Sequence, residues 1–249
     1  MGAPAPCGVE ALKTLAIETA TPASSVALGE GAQLRAMSLS VDGKGHVGFL
    51  VPAIDFCFSR AGWSPSDLDL VAVDLGPGPF TGLRAGLSAA QALAAAVGVP
   101  IVTVSSLDVL ALRAATGHRT IWPVVDVRRG QVATAPYRPV PGGVVQDAPG
   151  EIVTPEELAG LINATGEDAL VVGDHRALPD GVFQGLHRVK LGRPRYPAAD
   201  VILEIAQMRA NRDLFASPEE VRPVYMREPD ADINWKDIRE EGLWPGASE

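Results

Sequence analysis

Four residues, Gly76-Pro77-Gly78-Pro79, constrain this chain more than any others. The prolines fix φ and lack a backbone donor, and the glycines permit positive φ, so neither a strand nor a helix runs through them. They divide an apolar run of strand length, Leu70 to Leu75, from a helix-patterned segment that Gly98 and Pro100 end, with Thr81 placed as its cap. A second apolar run, Ile101 to Val104, follows. Strand, turn, helix and strand together predict a βαβ unit and therefore a parallel or mixed sheet.

The helix after the turn is apolar almost all round. Leu83, Leu87, Ala90, Ala94 and Val97 share one face, and Ala85, Ala89, Ala92 and Ala96 form a small-residue stripe nearly opposite. Such a helix is buried on more than one side. The larger face predicts packing on a sheet, and the alanine stripe predicts close approach of another helix, from this chain or from a partner. On the polar edge, Arg84 either reaches a carboxylate or phosphate at the joint or stands in solvent.

With 249 residues, 47% hydrophobic and 20% charged, the chain reads as a globular protein of one large or two small domains. Its net charge of −9 argues against a broad basic surface for independent nucleic-acid binding. Cys7 and Cys57 have no metal or redox spacing, which fits a reducing compartment. No signal-peptide pattern opens the chain and no apolar run is long enough to span a membrane, so the expected location is the cytoplasm.

Along the chain, residues 1–12 read as a tail, 13–116 and 117–226 as two lobes, and 227–249 as an acidic tail with seven acids and three bases. Thr14 to Ile17 and Ser25 to Leu28 predict two strands of a β-meander around Glu18-Thr19-Ala20-Thr21-Pro22. Such a turn either holds phosphate or Mg²⁺, or uses Glu18 to cap its own amides. A helix is expected from His46 to Ala61, with Val47, Leu50, Val51, Ile54, Phe58 and Ala61 inward and Phe49 and Phe56 outward. Two outward aromatics suggest a contact surface, unless a loop of the same chain covers them. His46, just before this helix, reads as a cap or surface residue. In WPVVDVRRGQVATAPYR the strand, acid (Asp126), turn and return strand repeat the plan of residues 14–28, hinting at a duplication. Pro139 to Gly150 reads as a loop, Thr154 as the cap of a helix ending near Asn163, and Asp200 to about Arg212 as a further helix.

The segments LAIETAT, GPGPFTGLRAG, VVDVRRGQV, VVGD and RPVYMREPDA, in this order and spacing, resemble the bacterial TsaB (YeaZ) family over roughly residues 14–230. The departures are Glu18, Pro79 and His175, where that family usually carries aspartate, serine and glycine. The resemblance implies an α/β, two-lobed actin/Hsp70/sugar-kinase-like fold in shortened form. It also implies a part in making threonylcarbamoyladenosine in tRNA, as a non-catalytic scaffold and activator of a TsaD-like subunit with a TsaE-like ATPase. In that reading the chain homodimerises when alone and meets tRNA only indirectly. The expected interface is His46, Phe49, Leu50, Ala53, Phe56, Arg84, Ala85, Ala89, Ala92 and Ala96. Glu18, Thr19, Gly76, Gly78, Thr81 and Asp126 would form a vestigial nucleotide-facing loop.

The residues themselves agree with a non-catalytic role. His46, His118, His175 and His187 show no pair at ligand spacing, so no metal site or cofactor is expected, and Ser105 and Ser106 read as helix-cap residues rather than nucleophiles. Asp74 reads as a turn residue or as one of a carboxylate group with Glu18 and Asp126. An ATP-dependent kinase or hydrolase of the same superfamily is the alternative. A metallopeptidase of the M22 type is the weakest reading, because its metal motif is missing from VSSLDVLAL.

Overall fold

The computed structural model describes residues 11–42, 45–115, 117–222 and 226. Both terminal tails (residues 1–10 of the first and all of 227–249) lie outside the described residues.

The chain opens with the meander β1 (Lys13–Glu18), β2 (Ala23–Glu30) and β3 (Gln33–Val41), followed by α1 (His46–Ala61), β4 (Leu70–Asp74), α2 (Phe80–Val97) and β5 (Ile101–Val104). These strands form one sheet in the order β3-β2-β1-β4-β5, antiparallel within the meander and parallel from β1 through β5. After α3 (Ser106–Arg113) come β6 (Thr120–Asp126), β7 (Val132–Thr134), β8 (Tyr137–Val140), β9 (Gly143–Gln146), β10 (Glu151–Val153), α4 (Pro155–Thr165), β11 (Ala169–Gly173), β12 (Val189–Pro194) and α5 (Ala199–Ala210). The second sheet, β10-β7-β6-β11-β12, repeats the order and the senses of the first, with β8 and β9 added beside β6. The fold is thus two-lobed, on the actin/Hsp70/sugar-kinase-like plan in shortened form, and the repeat hinted at by two hairpins extends to whole sheets.

Side-chain alternation explains the layers. On β1, Leu15 and Ile17 face the core shared with α1 and α2, and Ala16 faces α5. On β6, Trp122 and Val124 face α4, and Ile121 and Val125 face α3. The lobes exchange helices at the middle: α3 packs on the second sheet, whereas α5, far along the chain, packs on the first. α4 starts as expected, with Thr154 and Glu157 closing a capping box and Pro155 in the first turn.

Four local expectations need correction. Val47 and Val51 are 72% exposed; α1 turns Leu50, Ala53, Cys57 and Phe58 inward instead. The small Ala53 and Cys57 let the helix lie close on β2 and β3, a stripe that counting large apolar residues overlooks. α2 begins one residue before Thr81, with Pro79 at the N-cap and no side-chain cap. Residues 139–150 contain a hairpin, not a loop throughout, since Pro139 pairs with Val144 on strands at the sheet margin, where proline is tolerated. β12, polar and bulged against β11, is a strand that hydrophobic patterning does not announce.

Candidate functional site

Because β1 and β4 are adjacent, parallel and in register at Ile17 and Val73, the next residues, Glu18 and Asp74, emerge side by side at the strand ends. Both are buried, at 0% and 2% exposure. The Asp74 carboxylate accepts from the Gly76 amide at 2.7 Å and from the Ser106 hydroxyl at 2.8–2.9 Å. Glu18 Oε1 accepts from the Ala20 amide at 2.7 Å, so it does cap its own turn. Its other oxygen, Oε2, is buried with no hydrogen-bond partner among the described residues. Burial pushes Asp74 up to about 7, and burial together with the Asp74 charge holds Glu18 well above the usual carboxylate range. Ser105 caps α3 by accepting from the Leu107 amide, as expected, whereas Ser106, expected to be a cap residue too, instead donates its hydroxyl to Asp74.

The Gly/Pro turn closes over this pair. A Cβ on Gly78 would stand 1.8 Å from the Ala20 carbonyl oxygen, one on Gly82 2.0 Å from that of Thr19, and one on Gly86 2.3 Å from Thr19 Oγ1. Thr19 Oγ1 donates to the Gly82 carbonyl at 2.8 Å. Only glycine permits so close an approach of backbones. Gly76, with φ near +100°, makes the turn itself. The Gly/Pro turn and the start of α2 thus pack directly on the backbone of residues 19–20.

Asp126 does not join the pair. It is half-exposed on the second lobe, accepts from the Arg128 amide at 2.7 Å, and lines a small hollow with Thr21, Asp174 and Tyr196. Among the described residues no three His, Cys, Asp or Glu side chains come together.

The expected contact residues lie on α1 and α2, which run against each other over the first sheet. Val47 and Val51 are exposed on one flank of α1 and Phe56, 49% exposed, on the opposite flank; Arg84, Ala92 and Ala96 are exposed on α2. Phe49, Ala85 and Ala89 are half-buried against the first core. Leu50, Ala53 and His46 are buried beneath that face. His46 Nδ1 lies 2.6 Å from Ser24 Oγ, and burial lowers its pKa, so it is a neutral interior residue. Arg84 stacks over Phe80 at 5.6 Å, and Thr81 is exposed. A further network was not foreseen: Tyr137 donates to Asp108 at 2.7 Å and Arg209 pairs with it, in a groove of about 300 Å³ between α3, α5 and the β8–β9 hairpin.

A family model described as "TsaD: tRNA N6-adenosine threonylcarbamoyltransferase" matches residues 40–235. The TsaB protein of Escherichia coli, described as a tRNA threonylcarbamoyladenosine biosynthesis protein, is 30% identical over 232 residues, covering 91% of this chain and 98% of its own. The chain belongs to the TsaB (YeaZ) family. Bacillus subtilis TsaB is 26% identical, over 89% of this chain and 96% of its own. The crystal structure of YeaZ from Pseudomonas aeruginosa superposes with a TM-score of 0.73 at 27% identity, covering 86% of this chain and 99% of that one. In this chain the GPGPFTGLRAG block is the segment that packs over the strand ends of β1 and β4.

Proposed function

We propose that this chain is a non-catalytic subunit in the biosynthesis of threonylcarbamoyladenosine in cytoplasmic tRNA, which binds and activates a TsaD-type transferase together with a TsaE-type ATPase. The observation that carries the reading is the packed joint: Gly78 and Gly82 press against the backbone of residues 19–20 beside a buried carboxylate pair. Packing of the turn after Glu18 against this chain's own backbone supports a framework that has given up phosphate binding at the first lobe. What it exposes instead is apolar: Val47 and Val51 on one flank of α1, Phe56 on the other, and Ala92 and Ala96 on α2. Apolar surface of this kind suits a helix-on-helix contact with a partner or a second copy, and a durable one buries about 1,000 Å² or more.

The test is co-purification. Val51→Asp with Phe56→Asp should abolish co-elution with the TsaD-type subunit and stimulation of tRNA modification, while circular dichroism and melting stay native. Undiminished co-elution and stimulation would refute this surface. ATP turnover by the isolated chain with Mg²⁺, lost in Asp126→Asn, would instead favour a kinase or hydrolase.

A further inference from the structure

The net charge of −9 hides a strongly uneven distribution. Residues 185–199, GLHRVKLGRPRYPAA, hold Arg188, Lys190, Arg193 and Arg195 and no acid, whereas the rest of the chain holds 17 bases and 30 acids, a net −13. The fold lays this segment along the outer edge of the second sheet as β12, and all four basic side chains are exposed. Between Leu191 and Pro194 the pairing with β11 shifts by one residue. That bulge brings Arg195 back into phase with Arg188 and Lys190, so three of the four bases line the same side of the edge. Lys190 and Arg193 make no hydrogen bond or ion pair among the described residues. In the turn before β11, Asp168 lies 3.3 Å from Arg119 and 3.8 Å from His118, and Glu167 accepts from the Thr120 hydroxyl. At the other end Arg195 shares a hollow with Asp126 and with Asp174, which is paired with Arg176. Arg188 and Arg195 donate to the carbonyls of Gly166 and Arg113, respectively.

We propose that this edge is a binding strip for the sugar-phosphate backbone of tRNA, contributed directly by this chain. The proposal rests on the reading above that the chain works in tRNA modification. Cations on one side of an extended strand, Arg188 and Lys190 about 6.6 Å apart and Arg195 about twice that further on, suit a chain of phosphates and read no sequence. An added peptide strand suits the edge less well, because the bulge and Pro194, which lacks an N–H, interrupt the ladder. The acidic remainder of the surface repels nucleic acid, so the strip orients the tRNA as well as holding it.

Charge reversal separates this role from simple protection of a sheet edge, which glutamate serves as well as lysine. In the complete assembly, Arg188→Glu with Lys190→Glu and Arg195→Glu should weaken binding of a labelled tRNA transcript at least tenfold at about 0.15 M salt. The slope of log affinity against log salt should become shallower by about 2 to 3, and co-elution with the transferase should be unchanged. tRNA should also protect Lys190 of the unaltered free chain from acetylation at low salt while Lys13, on the first lobe, stays reactive. An unchanged affinity and slope, an unprotected Lys190, or loss of the transferase instead of the tRNA would each overturn the strip. The footprint on the free chain judges it even where no assembly forms, the result that would sink the functional reading alone.

Discussion

The two lobes share one strand order, yet the equivalent hairpins at their strand ends have taken opposite courses. In the first lobe the turn after Glu18 is clamped: its carbonyls touch the glycines of α2, and its acid is fully buried with a raised pKa. In the second, the turn after Asp126 stands open. Arg128, Arg129 and Gly130 all have positive φ, Asp126 is half-exposed, and nothing lies within 4 Å of a Cβ built on Gly130. A plan that in principle offers two phosphate hairpins has here become one packed joint and one free loop. Packing, not the strand order, decides whether such a hairpin can take a ligand.

Substitutions that wedge the clamp should have the largest effect. Gly78→Ala or Gly82→Ala places a methyl group within 2 Å of a backbone carbonyl, so either should cost about 3 kcal/mol or more of stability in denaturant melts. Gly130→Ala in the open turn meets no atom and strains only its φ of 69°, for roughly 1 kcal/mol. Equal losses at the two sites would erase the contrast.

The buried acids give the next largest effect, and its sign follows from linkage. With Asp74 and Glu18 both titrating higher in the folded than in the unfolded chain, the folded state binds more protons, so stability falls as pH rises from about 4 to about 7. Glu18→Gln keeps the bond to Ala20 without a second charge. It should add roughly 1–3 kcal/mol at pH 8 and flatten the pH dependence of melting. Ser106→Ala, which leaves Asp74 with one fewer donor, should cost about 1–2 kcal/mol. The smallest effect belongs to the open turn: Asp126→Asn should shift stability by less than about 0.5 kcal/mol, since its carboxylate serves only a surface amide and Arg128.

The framework was legible where residues act locally. Proline and glycine punctuation fixed the βαβ unit, and the Thr154 capping box fixed α4. Contacts distant in sequence were less so. That α5 returns to the first sheet, or that Ser106 reaches Asp74, depends on topology no periodicity encodes. The face of α1 was misjudged because Ala53 and Cys57, small enough for close packing on β2 and β3, outranked the bulkier Val47 and Val51. β12 escaped notice because an edge strand carrying two bases, a glycine and a proline in six residues has no alternating apolar pattern.

The most direct test of the central claim is reconstitution of tRNA modification from purified transferase, ATPase and activated threonylcarbamoyl donor. The account predicts that modification requires the unaltered chain, survives Asp126→Asn, and is lost in the folded Val51→Asp, Phe56→Asp variant. Modification that proceeds equally without the chain, or that fails only when Asp126 is changed, would contradict it.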